Sequence, residues 1–252
     1  MPSLSLTTLD HVPMVQSGDD LSAVLLTALE EQGLTLQPDD TLVLAQKIVS
    51  KAEGCIRNLE DITPSAQAVE LGQETAKDPR LVQAILDEST EVVRKRKGVL
   101  VVRHKNGWVM AQAGIDQSNV EGAHKGNILL LPKDPDGSAT KLRTALEERT
   151  GVAPAIVIAD SFGRPFRNGT TGIAIGAAGL ESFTDIRGET DLFGRELKVS
   201  TVAHADEIAS TASLLMGQGS EATPVVLIRG LARSPHLPAK ALIRPIEDDL
   251  FR

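Results

Sequence analysis

At 252 residues and 41% apolar content, the chain can bury a substantial core, as one compact body or two interlocked lobes. A formal charge of −8, with no basic run longer than Arg94 to Lys97, argues against a nucleic-acid binder. Aromatic residues make up 2% of the chain (five Phe, one Trp, no Tyr), which leaves little for stacking platforms, so specificity is expected from polar groups.

The chain opens Met1-Pro2-Ser3-Leu4, without a basic segment followed by an apolar run. No window approaches the roughly 20 apolar residues that span a bilayer, so a soluble cytoplasmic protein without membrane partners is expected. A strand is predicted from Leu4 to Thr7, then a helix from Leu21 to Gln32 opened by the Asp19-Asp20 cap and closed by Gly33. The apolar run Leu42 to Ala45 reads as a buried strand continuing into Ile48 and Val49. Cys55, the single cysteine, excludes an intrachain disulfide and a multi-cysteine metal site and reads as a small core residue.

Thr63-Pro64 and Asp78-Pro79 each put a capping side chain before a first-turn proline, predicting two helices that end near Glu70 to Lys77 and at Asp87. Val99 to Arg103 and Trp108 to Gln112, divided by Asn106-Gly107, form the strongest hairpin signal. Then come a strand at Ile128 to Leu131, a helix across Lys141 to Arg149 and a strand from Ala155 to Ala159, with Asp160 at its end. A helix from Ser200 to Met216 and a strand at Val225 to Arg229 complete the order. The fold class is therefore mixed α/β: a mixed sheet with an antiparallel hairpin and flanking helices. No repeat or Pro/Ser-rich linker marks a domain boundary.

Five segments can carry chemistry. Ser50-Lys51-Ala52-Glu53-Gly54, after a buried strand, is either a phosphate-facing turn or an ordinary solvated one. Gly114-Ile115-Asp116-Gln117-Ser118-Asn119 offers oxygen ligands that hard cations choose, or a simple Asx turn. Asp160-Ser161 stands at a strand end and is followed by Arg164 and Arg167, whose guanidinium groups can hold anionic oxygens. Asp185 to Arg195, containing Arg187, is a ligand-closing loop or an intersubunit ion-pair network. Met216-Gly217-Gln218-Gly219-Ser220-Glu221-Ala222-Thr223 follows a helix and contains a C-cap glycine, with Gln218 as an oxygen donor. No Gly-Lys dipeptide occurs, so a Walker A loop is absent, and the five histidines form no close pair suited to zinc.

Taken in order, and with Val12-Pro13-Met14-Val15, these motifs resemble the coenzyme F420-0:L-glutamate ligases over nearly the whole chain, in the stand-alone form. The resemblance implies a GTP-dependent enzyme joining L-glutamate to the carboxylate of the deazaflavin precursor F420-0, with further γ-linked additions. It also implies a homodimer. By similarity, Val12, Pro13, Met14, Val15, Gln46, Lys51, Asn119 and Met216 to Thr223 would contact nucleotide. Asp116, Asp160, Ser161 and Gln218 would bind magnesium or manganese, with potassium as a further cation. Ser161 keeps the hydroxyl of the threonine common at this position. Asp116 and Asp160 are thus the expected catalytic pair, and Arg164, Arg167 and Arg187 the candidates for substrate anions. A metal-dependent nucleotide phosphohydrolase and a non-catalytic nucleotide-binding module are the competing functions.

Overall fold

Local signals set most elements of the protein, whose computed structural model describes residues 3–231 and 235–249. After β1 (Ser5–Thr8), helix α1 (Leu21–Glu31) starts where Asp20 Oδ1 accepts the Ser22 amide at 3.0 Å. β2 (Thr41–Ala45) is buried almost throughout, consistent with helices covering both faces of its sheet. The strand does not run on to Val49 as expected. The chain turns at Ala45 into α2 (Gln46–Ala52), and Ile48 and Val49 are buried on a helix face. A short apolar run has no period that separates strand from helix, so sequence alone does not place this boundary. It also puts Ser50 and Lys51 on a helix, not in a turn.

Cys55 is half-buried rather than in the core, and burial pushes its thiol above the usual range. β3 (Ile56–Asn58) leads to α3 (Ala66–Thr75), which is capped by Ser65 Oγ on the Ala68 amide at 3.2 Å and not by the Thr63-Pro64 pair. α4 (Pro79–Asp87) begins as predicted, with Asp78 accepting the Arg80 amide at 2.8 Å. β4 (Ser89–Arg96) was not foreseen: it is a charged, mostly exposed strand whose alternation is broken by two register shifts. It pairs with β5 (Val99–His104), and β5 with β6 (Val109–Ala111). At the hairpin turn the Gly107 amide donates to His104 O at 2.8 Å, with Gly107 at φ 102°.

β7 (Asn127–Leu129) pairs with β3. α5 (Pro135–Thr150) starts six residues earlier than predicted, with Asp134 accepting the Gly137 amide at 3.1 Å and Pro135 in its first turn. β8 (Ala155–Arg164) and β9 (Arg167–Ala178) form a long hairpin, so Asp160 lies inside a strand and not at its end. Two short strands, β10 (Thr184–Asp185) and β11 (Thr201–Val202), bracket an arm. α6 (His204–Met216) starts four residues later than expected and stops at Gly217, whose φ is 69°. β12 (Val225–Arg229) closes the order.

The main sheet runs β1-β12-β2-β8-β9, parallel only between β2 and β8, and the expectation of a mixed α/β fold is met. On one face Leu42, Leu44, Ile156 and Ile158 pack with α1 and α5. On the other, Val43, Val157 and Ala159 pack with α6. A third cluster joins α3, α4 and β5. Helices sit very close to β9: a Cβ on Gly172 would lie 2.5 Å from Ala209 O of α6, and one on Gly176 would lie 2.4 Å from Pro135 O of α5. At the outer edge of β9, Asp206 Oδ1 accepts the Ala174 amide and Asp136 Oδ1 the Ala177 amide, each at 2.8 Å. Asp136 also accepts the Ala239 and Lys240 amides, tying the C-terminal segment to that edge. Among the described residues no helix is long and apolar enough to cross a membrane.

Candidate active site

The parallel pairing of β2 with β8 stops with Ala45 opposite Ala159, where β2 ends and β8 runs on along β9. Residues immediately beyond them, Gln46 and Asp160, therefore start from neighbouring points. Carboxyl ends of parallel strands are where open α/β sheets bind ligands. β12 is antiparallel to β2, so the loop entering it reaches the same end, and the Ala45 amide donates to Pro224 O at 2.8 Å. The 116–119 segment arrives from the other side, held by reciprocal 2.9 Å bonds between Asp116 and Leu129 of β7.

Three polar links lock these segments together. Lys47 Nζ lies 3.2 Å from Asp116 Oδ2 and donates to Ser118 Oγ at 2.9 Å, while Ser118 Oγ donates to Asp116 Oδ1 at 3.0 Å. Asn119 Nδ2 donates to Gly219 O at 3.1 Å. Ser161 Oγ donates to Gln218 Oε1 at 2.7 Å. Asp116, Asn119, Asp160, Ser161 and Gln218 thus lie in one linked neighbourhood although they are far apart in the chain. Of the 12–15 segment, Val15 is buried and Met14 exposed, and just beyond it the Gly18 amide donates to Ala52 O at the end of α2 at 2.9 Å.

Charge in this neighbourhood is unevenly balanced. Burial, assisted by the Asp116 charge, pushes the Asp160 carboxyl up to about 7, against the opposing pull of the Ser161 amide and Lys47. Burial also lowers Lys51, with Lys47 acting the same way and Glu121 opposing. The backbone amides of Glu221 itself, Gly219 and Gln218 hold the Glu221 carboxyl below its ordinary range, and the Gly219 amide donates to Oε2 at 2.7 Å. This loop cradles an anion, here the chain's own carboxylate. Thr223 Oγ1 braces its other end on Met216 O at 3.2 Å.

A protein-family model described as F420-0:Gamma-glutamyl ligase matches residues 10–230. The chain belongs to the F420-0:gamma-glutamyl ligase family. It is 47% identical to the coenzyme F420:L-glutamate ligase of Methanothermobacter thermautotrophicus, over 99% of both chains. Identity to the proteins of the same name from Methanocaldococcus jannaschii and Methanopyrus kandleri is 44% and 42%. These alignments cover 96% and 100% of this chain, and 94% and 99% of the relatives.

Against this family background, the donor set suits a hard divalent cation. Among the described residues no three His, Cys, Asp or Glu side chains converge. The Asp116 and Asp160 carboxylates are of the kind magnesium takes when phosphates complete its shell, while Ser161 and Gln218 bond each other on the opposite face of β8. The raised Asp160 carboxyl is itself a sign of fit, since a cation at this point would supply the missing counter-charge. Lys47, next to Asp116, was not singled out in the sequence, because a strand through Val49 gave it no reason to face the acids. Gln46 is only 1% exposed; its Oε1 accepts from Ser50 Oγ at 2.8 Å and its Nε2 is a buried donor without a protein partner.

The three arginines are not in this cluster. Arg164 and Arg167 flank the β8–β9 turn, and Arg164 is four residues, about 13 Å, along the strand from Asp160. Arg187 Nε donates to both oxygens of Asp185, at 2.8 and 3.0 Å, so its charge is matched within its own turn.

Proposed function

We propose that this chain joins L-glutamate to the carboxylate of coenzyme F420-0 in a GTP-driven reaction that passes through an acyl phosphate, with further γ-linked additions on the same site. The carrying observation is that Asp116 and Asp160 face each other's charge where the pairing of β2 with β8 stops, with the Ser161–Gln218 contact on the next residue of β8. The names of the relatives supply L-glutamate and the F420 coenzyme, the family description supplies F420-0, and GTP rests on the family resemblance. Magnesium or manganese would be held by Asp116, Asp160, Ser161 and Gln218, and would neutralise phosphate charge there. Potassium is a further cation to test.

The amide cradle of Gln218, Gly219 and Glu221 suits a phosphate once the Glu221 carboxylate moves aside. Lys47 and Lys51 add positive charge beside it, and Val12 to Val15 and Asn119 border the nucleotide. A carboxylate oxygen of the precursor attacks the γ-phosphorus, the bond to the β-phosphate bridging oxygen breaks, and GDP departs. The glutamate nitrogen then attacks the acyl carbon, phosphate leaves with the bonding pair, and the amine proton passes to solvent. Arg164 and Arg167 lie at the far end of the hairpin and are given no part in this reaction. GTP and free glutamate are cytoplasmic metabolites, and the reaction is proposed to run there.

The test is mass spectrometry of products formed from F420-0, GTP, glutamate and manganese, with and without potassium. Wild type should add glutamate, while Asp116→Asn and Asp160→Asn should each lose about a hundredfold or more in turnover. Near-normal turnover in both variants rejects the metal assignment. GTP hydrolysis indifferent to glutamate and precursor would make the protein a phosphohydrolase instead. Lys51→Ala should raise the KM for GTP more than that for the precursor.

The family resemblance further supports a homodimer, and we assign its contact to the arm between β10 and β11. That arm holds Leu192 and Phe193 at 99% and 94% exposure.

A further inference from the structure

A cavity of about 230 Å³ opens between the β5–β6 turn, the β8–β9 hairpin and the C-terminal segment. Trp108, Phe162, Ile173, Leu242 and Ile243 form its apolar wall, and Arg103, Asp206 and Arg244 also line it. The chain has five Phe and one Trp, so two of its few aromatic rings meet in this one space. A cavity of about 150 Å³ already admits benzene, so this one has room for a larger planar ring.

The position of the cavity decides what it can serve. Ile173 is the residue paired with Asp160 across β8 and β9, and Phe162 is two residues farther along β8. Opposed residues of an antiparallel pair, and residues two apart on one strand, project from the same face. Asp160, Phe162 and Ile173 therefore share a face, and the cavity begins one side chain from the acid. Phe162 is buried in the same core cluster against which Trp108 and Ile173 pack.

Three molecules must meet near Asp160 if the ligase reading holds, and only one of them suits this lining. Glutamate has almost no apolar surface to bury. The nucleotide phosphates have their cradle at the 216–223 loop, on the far side of Ser161. The acyl substrate combines a flat ring with a carboxylate at the end of a phosphate-bearing chain. We infer that this cavity binds the deazaflavin ring of the acyl substrate, with its tail directed along the hairpin face toward Asp160. Trp108 and Phe162 select for a planar ring, and Arg103, paired with Glu91 Oε2 at 3.2 Å, stiffens the rim.

This inference rests on the ligase reading, but the two can fail separately. With one tryptophan and no tyrosine, intrinsic emission reports the cavity wall. F420-0 titrated into the intact protein with magnesium should quench Trp108 emission saturably, and riboflavin, a ring without the acyl tail, should compete. Trp108→Leu and Ile173→Arg should each raise the KM for F420-0 by about tenfold or more, leaving the KM for GTP within about twofold. If Ile173→Arg does not fold, Trp108→Leu alone carries the kinetic test, with equilibrium dialysis of F420-0 beside it.

F420-0 that binds by dialysis without quenching, together with an unchanged KM in the variants, overturns the inference. So does emission that follows protein concentration and not F420-0, which would give the cavity to a second copy of the chain. Quenching without glutamate addition would leave the ring site standing and reject the ligase reading.

Discussion

His104 shows how a single buried group ties stability to pH. Burial, with Lys105 assisting, holds its imidazole down to about 4, and its Nδ1 accepts the Asn106 amide at 3.0 Å while its ring lies 5.3 Å from that of Trp108. A lowered histidine binds fewer protons folded than unfolded between about pH 6.5 and 4. Its contribution is therefore complete above that window and is lost as pH falls through it. The expected loss is about 2 kcal/mol once partial screening is allowed for. Thermal melts from neutral pH to pH 4.5 should show a steeper decline in wild type than in His104→Phe; parallel curves would reject this assignment. At this scale the sequence was legible where a residue's chemistry was unusual for its setting. Asp116, Asn119 and Gln218, by contrast, read alone as ordinary turn and cap residues and gain a role only through the family resemblance, and with Asp160 they enter the linked neighbourhood. Lys47 did not stand out, because its partner Asp116 lies 69 positions away and only the fold brings them together.

Elements were legible in proportion to how locally they are specified. Helices α1 and α4 and the Asn106-Gly107 hairpin carry their own caps and turn residues, and they form where expected. β4 and the outer half of β8 do not, since their polar residues become strand only through pairing with β5 and β9. The β8–β9 hairpin is also where helix and site are mechanically joined. Gly172 lets α6 approach so closely that an added Cβ would meet Ala209 O at 2.5 Å, and α6 ends two residues before Gln218. Gly172→Ala should push α6 outward, costing about 1–3 kcal/mol and loosening the Gln218 contact to Ser161. Calorimetry and a GTP titration would read both effects. An unchanged melting temperature would mean that α6 yields without strain.

The whole molecule brings sequence-distant segments to one end of a sheet, and that could not be read from local pattern because β2 and β8 are separated by more than a hundred residues. Assembly belongs to this scale too. Sedimentation should show a dimer for wild type, and Leu192→Ser with Phe193→Ser should shift it toward monomer at micromolar concentration; an unshifted dimer would move the contact elsewhere. One form of association is already closed off. At the open side of β9 the Ala174 and Ala177 amides are occupied by carboxylates from α6 and α5. An arriving extended chain would find acceptors already bonded where it needs free donors, so the inner half of this border is closed to fibril growth.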